Sequence, residues 1–277
     1  MGRISQTGAP RADFLRGTAA VGTGLALASL GVESAQAVGG QDVGQETLHI
    51  LDTLLALERL TLTLYYGGLT AADVIGSSAL AGPSRDPHNP GLPPGGNPQQ
   101  VRYLQAALDA EAKHGAALVD AGAVSPSTRF FFPSETFARL GSSLDRASFL
   151  GVVDLLETIC VGAYAAAAIA FITVGRPDLA ATSAQIMGVE SEHRTLGRVI
   201  GHITPANNHT LETAPFSVVD EALSEITPFL TGRRYLFATG STRTMTAPTP
   251  RAVARLVGTH GTRRFPTFAL TAKGGHQ

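Results

Sequence analysis

Apolar residues recur at helical spacing in four stretches of the chain. The first covers about 47–67, where Leu51, Leu54, Leu55, Leu62 and Tyr65 share one broad stripe with Glu58. The second spans about 98–121. The third spans 144–174 and is stopped by Gly175-Arg176-Pro177. The fourth opens at Pro177-Asp178 and runs out near 202–205. The stretch 82–98 is dense in Pro and Gly and reads as a loop. The stretch 123–143 holds Pro126, Pro133 and Phe130-Phe131-Phe132, and is long enough to cross the length of a bundle. No alternating, strand-like run stands out there. The pattern predicts an all-α fold: a four-helix bundle over 38–205, with a long crossover between its second and third helices. Residues 206–277 form an extension, with one short helix over 218–230. From Gly232 onward it is rich in Thr, Pro, Gly and Arg and has no sustained period, so it reads as irregular.

The third stretch is apolar enough to cross a membrane. Asp154 and Glu157 would then lie in hydrocarbon at substantial cost, and a bundle helix with inward acids is the better account. The N-terminal 1–37 differ in kind. Arg3, Arg11 and Arg16 precede an uncharged, Ala/Gly/Leu-rich run over 17–32, and Ala35-Gln36-Ala37 fits a small-x-small cleavage site. This is the pattern of an export signal. The run is short and Gly-diluted for a permanent anchor, so no stable membrane span is expected after cleavage. Arg11-Ala12-Asp13-Phe14-Leu15-Arg16 resembles a twin-arginine motif, with Ala12 at the place of the second arginine. The expected location is therefore the periplasm, the cell envelope or the exterior.

Composition narrows the chemistry. Charged residues make up only 16% of the 277, against about 25% in an average soluble domain. A single Cys excludes an intrachain disulfide and a cysteine-based zinc or iron–sulfur cluster. A net charge of −1 and the absence of Trp argue against nucleic acid as a partner. The charges are also unevenly placed. No Asp or Glu follows Ile226, whereas eight of the 21 basic residues do. This basic tail is a candidate contact for anionic envelope polymer or another subunit, with a solvated extension as the plainer alternative.

What matters more is where the acids sit. Each predicted bundle helix carries one on its apolar stripe: Glu58, then Glu111 with His114, then Glu157, then Glu190 with His193. Three residues turn a helix by about 300°, so the Glu and His of each Glu-x-x-His pair project from one face. Glu46 and His49 also match that spacing, but Glu46 lies about 120° around the helix from Glu58 and belongs to a solvated first turn. Four carboxylates and two imidazoles are the ligand set of a dinuclear iron or manganese site in a bundle core. Oxygen and imidazole donors suit these metals, and without a cation four buried carboxylates would be costly. Tyr65 and Tyr164 each lie seven residues after a glutamate of the set, Glu58 and Glu157. They read either as core fillers with locally bonded hydroxyls or as redox-active or orienting neighbours of the site. Asp154 is a candidate to orient a ligating His, or a plain surface acid. Cys160 reads as a small buried hydrophobe, and His88, His202, His209, His260 and His276 as solvated.

The ordered series Glu58, Glu111/His114, Glu157, Glu190/His193 resembles the ferritin-like superfamily. Leu57-Glu58-Arg59-Leu60 with Leu64-Tyr65-Tyr66 is similar to the first helix of the ferritin-like domain that includes desiccation-related proteins. The resemblance covers about 45–203. It implies Glu58 and Glu157 as terminal ligands of one metal each, Glu111 and Glu190 as bridges, and His114 and His193 as individual caps. Thr61 departs from it, standing where the first-helix pattern often has a second Glu. The activity implied is oxidation of ferrous iron, or consumption of peroxide or O2, in envelope stress protection. The alternative is a non-catalytic stress or envelope protein whose metal site is structural or vacant. Assembly into a homo-oligomer is left open.

Overall fold

A computed structural model describes residues 40–76, 98–124, 127–207 and 215–257, apart from 234, 236 and 239. The expected export signal, the loop over 82–97, His88, His209, His260, His276 and the end of the basic tail lie outside the described residues.

Among the described residues, seven helices and two strands follow in order: α1 Gly40–Thr70, α2 Ala72–Ile75, α3 Pro98–Asp120, β1 Arg129–Pro133, a 3-10 turn Ser134–Phe137, α4 Phe149–Thr173, α5 Pro177–Ile200, α6 Val219–Thr231, β2 Thr242–Thr246 and α7 Pro250–Val257. Helix α1 packs along α3 and α4 along α5, and the two pairs meet through α1–α4 and α3–α5. This is the four-helix bundle of the sequence pattern, with the crossover between α3 and α4. One boundary moves. The apolar stripe reaches back to 144, yet α4 starts at Phe149, because Ser148 caps it by accepting from the Gly151 N–H at 3.3 Å. Residues before it are already turned, with Ser148 N–H donating to the Asp145 carbonyl at 2.9 Å.

Helix α4 has the length and composition of a membrane span, with a mean hydropathy of 2.0. Here it lies against α5, α1 and α6, and Glu157 on it is buried. Close packing near the end of α1 depends on two glycines. A Cβ at Gly67 would stand 2.4 Å from Phe137 Cε1, and one at Gly68 2.2 Å from Phe149 Cε2.

The extension is more ordered than its composition implies. β2 pairs antiparallel with β1, with Phe131 opposite Thr244, so the crossover and the extension share a two-stranded sheet. The strand in the crossover escapes notice because Phe130, Phe131 and Phe132 are all apolar. Only burial separates them: Phe130 and Phe132 point inward and Phe131 is half-buried. Phe132 then stacks edge-on with Phe137 and Phe229, at 5.3 and 5.7 Å between centroids. After β2, α7 docks on α3 through buried Val253 and Val257. The expectation of a wholly irregular tail is therefore corrected over 242–257.

Candidate metal centre

All six of the acidic and imidazole candidates meet at one level of the bundle. Glu58 comes from α1, Glu111 and His114 from α3, Glu157 from α4, and Glu190 and His193 from α5. The four glutamates are each no more than 1% exposed. Their donor atoms fall into two groups: Glu58, Glu111, His114 and Glu190; and Glu111, Glu157, Glu190 and His193. Within each group the atoms lie within 4.8 Å of one another. Glu111 and Glu190 belong to both groups, while Glu58 with His114 and Glu157 with His193 belong to one each.

His114 Nδ1 is 2.8 Å from Glu190 Oε1 and 3.4 Å from Glu58 Oε2. His193 Nδ1 is 2.9 Å from Glu111 Oε1 and 3.3 Å from Glu190 Oε2. Most of these atoms approach without hydrogen-bond geometry. Glu58 Oε2, Glu111 Oε1, Glu157 Oε2, Glu190 Oε1 and His114 Nδ1 are buried and make no hydrogen bond. A buried carboxylate oxygen without a donor is costly. Lone pairs that converge on common points without bonding to each other are what a pair of cations would need. The residues therefore fit a metal site with an all-oxygen-and-imidazole donor set.

Electrostatics in the metal-free protein follow from the crowding. Burial raises the Glu58 and Glu157 carboxyls well above the ordinary range, and the charges of Glu111 and Glu190 push them further. Burial also opposes charge on Glu190, but His114 and His193 outweigh it and hold this carboxyl below its ordinary value. Conversely, burial disfavours charge on the imidazoles, yet the contacts with Glu190 and Glu58 raise His114 to about 11. Those with Glu111 and Glu190 raise His193 to about 10. Without a metal, the charged form of both imidazoles is thus favoured beside the carboxylates.

The tyrosines reach across the bundle. Tyr65 on α1 donates to Glu157 Oε1 on α4 at 2.5 Å, and Tyr164 on α4 donates to Glu58 Oε1 on α1. Each hydroxyl thus steadies the glutamate of the opposite helix, and neither is bonded locally. Burial, followed by the adjacent carboxylate, raises both phenols well above their ordinary value. Asp154 does not orient either histidine. It accepts from Arg198 Nε at 2.6 Å, tying α4 to α5. Cys160 is buried on α4, where burial and then Glu190 push its thiol up. His202 is exposed, and His49 meets Asp220 of α6 at 2.5 Å near the surface.

Sequence reasoning missed the role of Thr61. Its hydroxyl donates to Glu111 Oε2 at 2.5 Å, so the residue that departs from the family pattern holds one of the two shared carboxylates. The signal was its position, three residues after Glu58 on the same inward stripe.

The model of the ferritin-like domain family matches residues 46–200. Comparison with curated proteins and with solved structures returned no match.

Proposed function

The chain belongs to the family of ferritin-like domains, and on that premise we propose that it is an exported oxidoreductase built on a dinuclear iron or manganese centre. Glu58 and His114 would hold one ion, Glu157 and His193 the other, and Glu111 and Glu190 both. The observation that carries the reading is the set of buried oxygens and nitrogen that converge without hydrogen bonds. Bound there, the metals would supply the electrons that reduce O2 or peroxide, with ferrous iron as the substrate oxidised. The chain's own part is positioning. Four carboxylates balance the positive charge, Tyr65 and Tyr164 fix the outer pair, and Thr61 fixes Glu111. Apolar residues of α1 and α4 pack around these buried groups.

The signal-like pattern over 1–37 supports an activity outside the cytoplasm, which we read as protection of the envelope under stress. Metal content of the protein isolated from that compartment is the direct test. About two ions per chain are expected, with most lost in Glu190→Ala, which removes a ligand common to both groups. Full loading of that variant would overturn the assignment. Rapid oxidation of added ferrous iron by wild type, absent in Glu58→Ala, separates the catalytic role from a purely structural metal.

A further inference from the structure

A cavity of about 490 Å³ opens beside the acid cluster, between α1 and α3 and under the segment that joins β2 to α7. Glu58 and Glu111 lie at its inner side. Its walls are aliphatic: Leu55, Leu62, Ala112, Ala116, Val119 and Val253 line it. The space exists because α3 presents Ala112, Gly115 and Ala116 at i, i+3 and i+4, where larger side chains would fill it. A Cβ built at Gly115 finds nothing closer than Leu55 Cδ1 at 3.7 Å. The roof is Ala247, Pro248 and Pro250, from the extension that the family match does not cover.

Among the described residues, one cation lines this cavity. Arg59 is half-buried, and its guanidinium pairs with no carboxylate among the described residues. Asp120, also on the lining, is solvent-exposed, where its charge is screened. The volume lies within the ~300–1,000 Å³ of small-molecule sites, which are mostly apolar with a few placed polar groups.

We propose that this cavity binds a small aliphatic carboxylate, with its body against Leu55, Leu62, Val119 and Val253 and its anionic head on Arg59. The ligand would lie directly beside Glu58 and Glu111, and the C-terminal segment 247–253 would serve as the wall that encloses it. Among the described residues no aromatic side chain lines the cavity, which favours an aliphatic body over an aromatic one. The site consists of protein side chains, so it does not rest on the metal reading.

Sodium octanoate and 1-octanol, titrated calorimetrically into the full-length protein as purified, test this. Octanoate is expected to bind saturably, one per chain, and more tightly than octanol. Gly115→Leu fills the cavity and should weaken octanoate at least ten-fold. Ala116→Phe does the same from an exposed position, should Gly115→Leu fail to fold. Arg59→Gln should bring octanoate down to the affinity of octanol while leaving octanol unchanged. Absence of saturable binding, wild-type affinity in a folded cavity-filling variant, or equal loss of both ligands in Arg59→Gln would each overturn the proposal. Metal content of the same samples reports separately on the proposed centre.

Discussion

Replacing Thr61 by valine removes one hydroxyl from the wall of the acid cluster and almost nothing else, because the two side chains have nearly the same shape. That hydroxyl carries one proton and faces three acceptors: Glu111 Oε2 at 2.5 Å, and the Leu57 and Glu58 carbonyls at 3.1 Å each. The short contact with the carboxylate identifies where the proton goes. A hydrogen bond to a charged group contributes about 1.5–3 kcal/mol. In a domain of this size that corresponds to a fall of roughly 3–12 °C in Tm. Loss of a residue that orients a ligand typically lowers metal affinity about 10–100-fold, equivalent to about 1.4–2.7 kcal/mol. The two figures agree in size, as expected if the same bond stabilises the fold and holds Glu111 ready for metal. Thermal unfolding in the presence of chelator reads the first, and competition titration against a chromogenic chelator reads the second. Thr61→Ser keeps the hydroxyl and should recover most of both. A valine variant with lowered Tm but wild-type metal affinity would refute the positioning role and leave Thr61 a merely structural residue.

Metal binding should release protons, since His114 and His193 are protonated near neutral pH in the metal-free protein and Glu58 and Glu157 are raised well above the usual carboxyl range. Calorimetry in buffers of different ionisation enthalpy counts them, and no net release would contradict the assignment. Metal-free stability should decline as pH rises. The folded histidines stay protonated from their ordinary 6.5 to about 10–11, and Glu58 and Glu157 act in the same sense above 4.5. The depressed Glu190 acts oppositely below 4.5, so the optimum lies on the acid side of neutrality. Chelator-treated protein whose Tm rises from pH 6.5 to about 9 would contradict this. Two glycines should respond with opposite sign. Gly68→Ala drives a methyl into the buried Phe149 ring and should lose about 1–3 kcal/mol. Gly188→Ala meets open space in the middle of α5 and should gain up to about 1 kcal/mol. Equal signs in thermal melts would count against the packing argument.

How much could be read from residues alone depended on how local the physics is. Helical period and Pro/Gly punctuation are properties of a few successive turns, so the four bundle helices and the crossover were legible. The acid cluster was legible for a related reason. Glu58, Glu111, Glu157 and Glu190 interrupt apolar stripes, and a stripe states which way each side chain points before any partner is known. Strand pairing is not local in this sense. Nothing in Phe130–Phe132 or in Thr242–Thr246 announces the other, because the hydrogen bonds join segments more than a hundred residues apart. Tertiary structure alone decided that Tyr65 and Tyr164 would each serve the glutamate of the opposite helix and that Thr61 would hold Glu111. It also decided that small residues on α3 would face the C-terminal segment across a cavity. The chain by itself determined which groups must be buried together. The packing of helix on helix determined which of them touch, since a stripe sets direction, while distance is set by the neighbour.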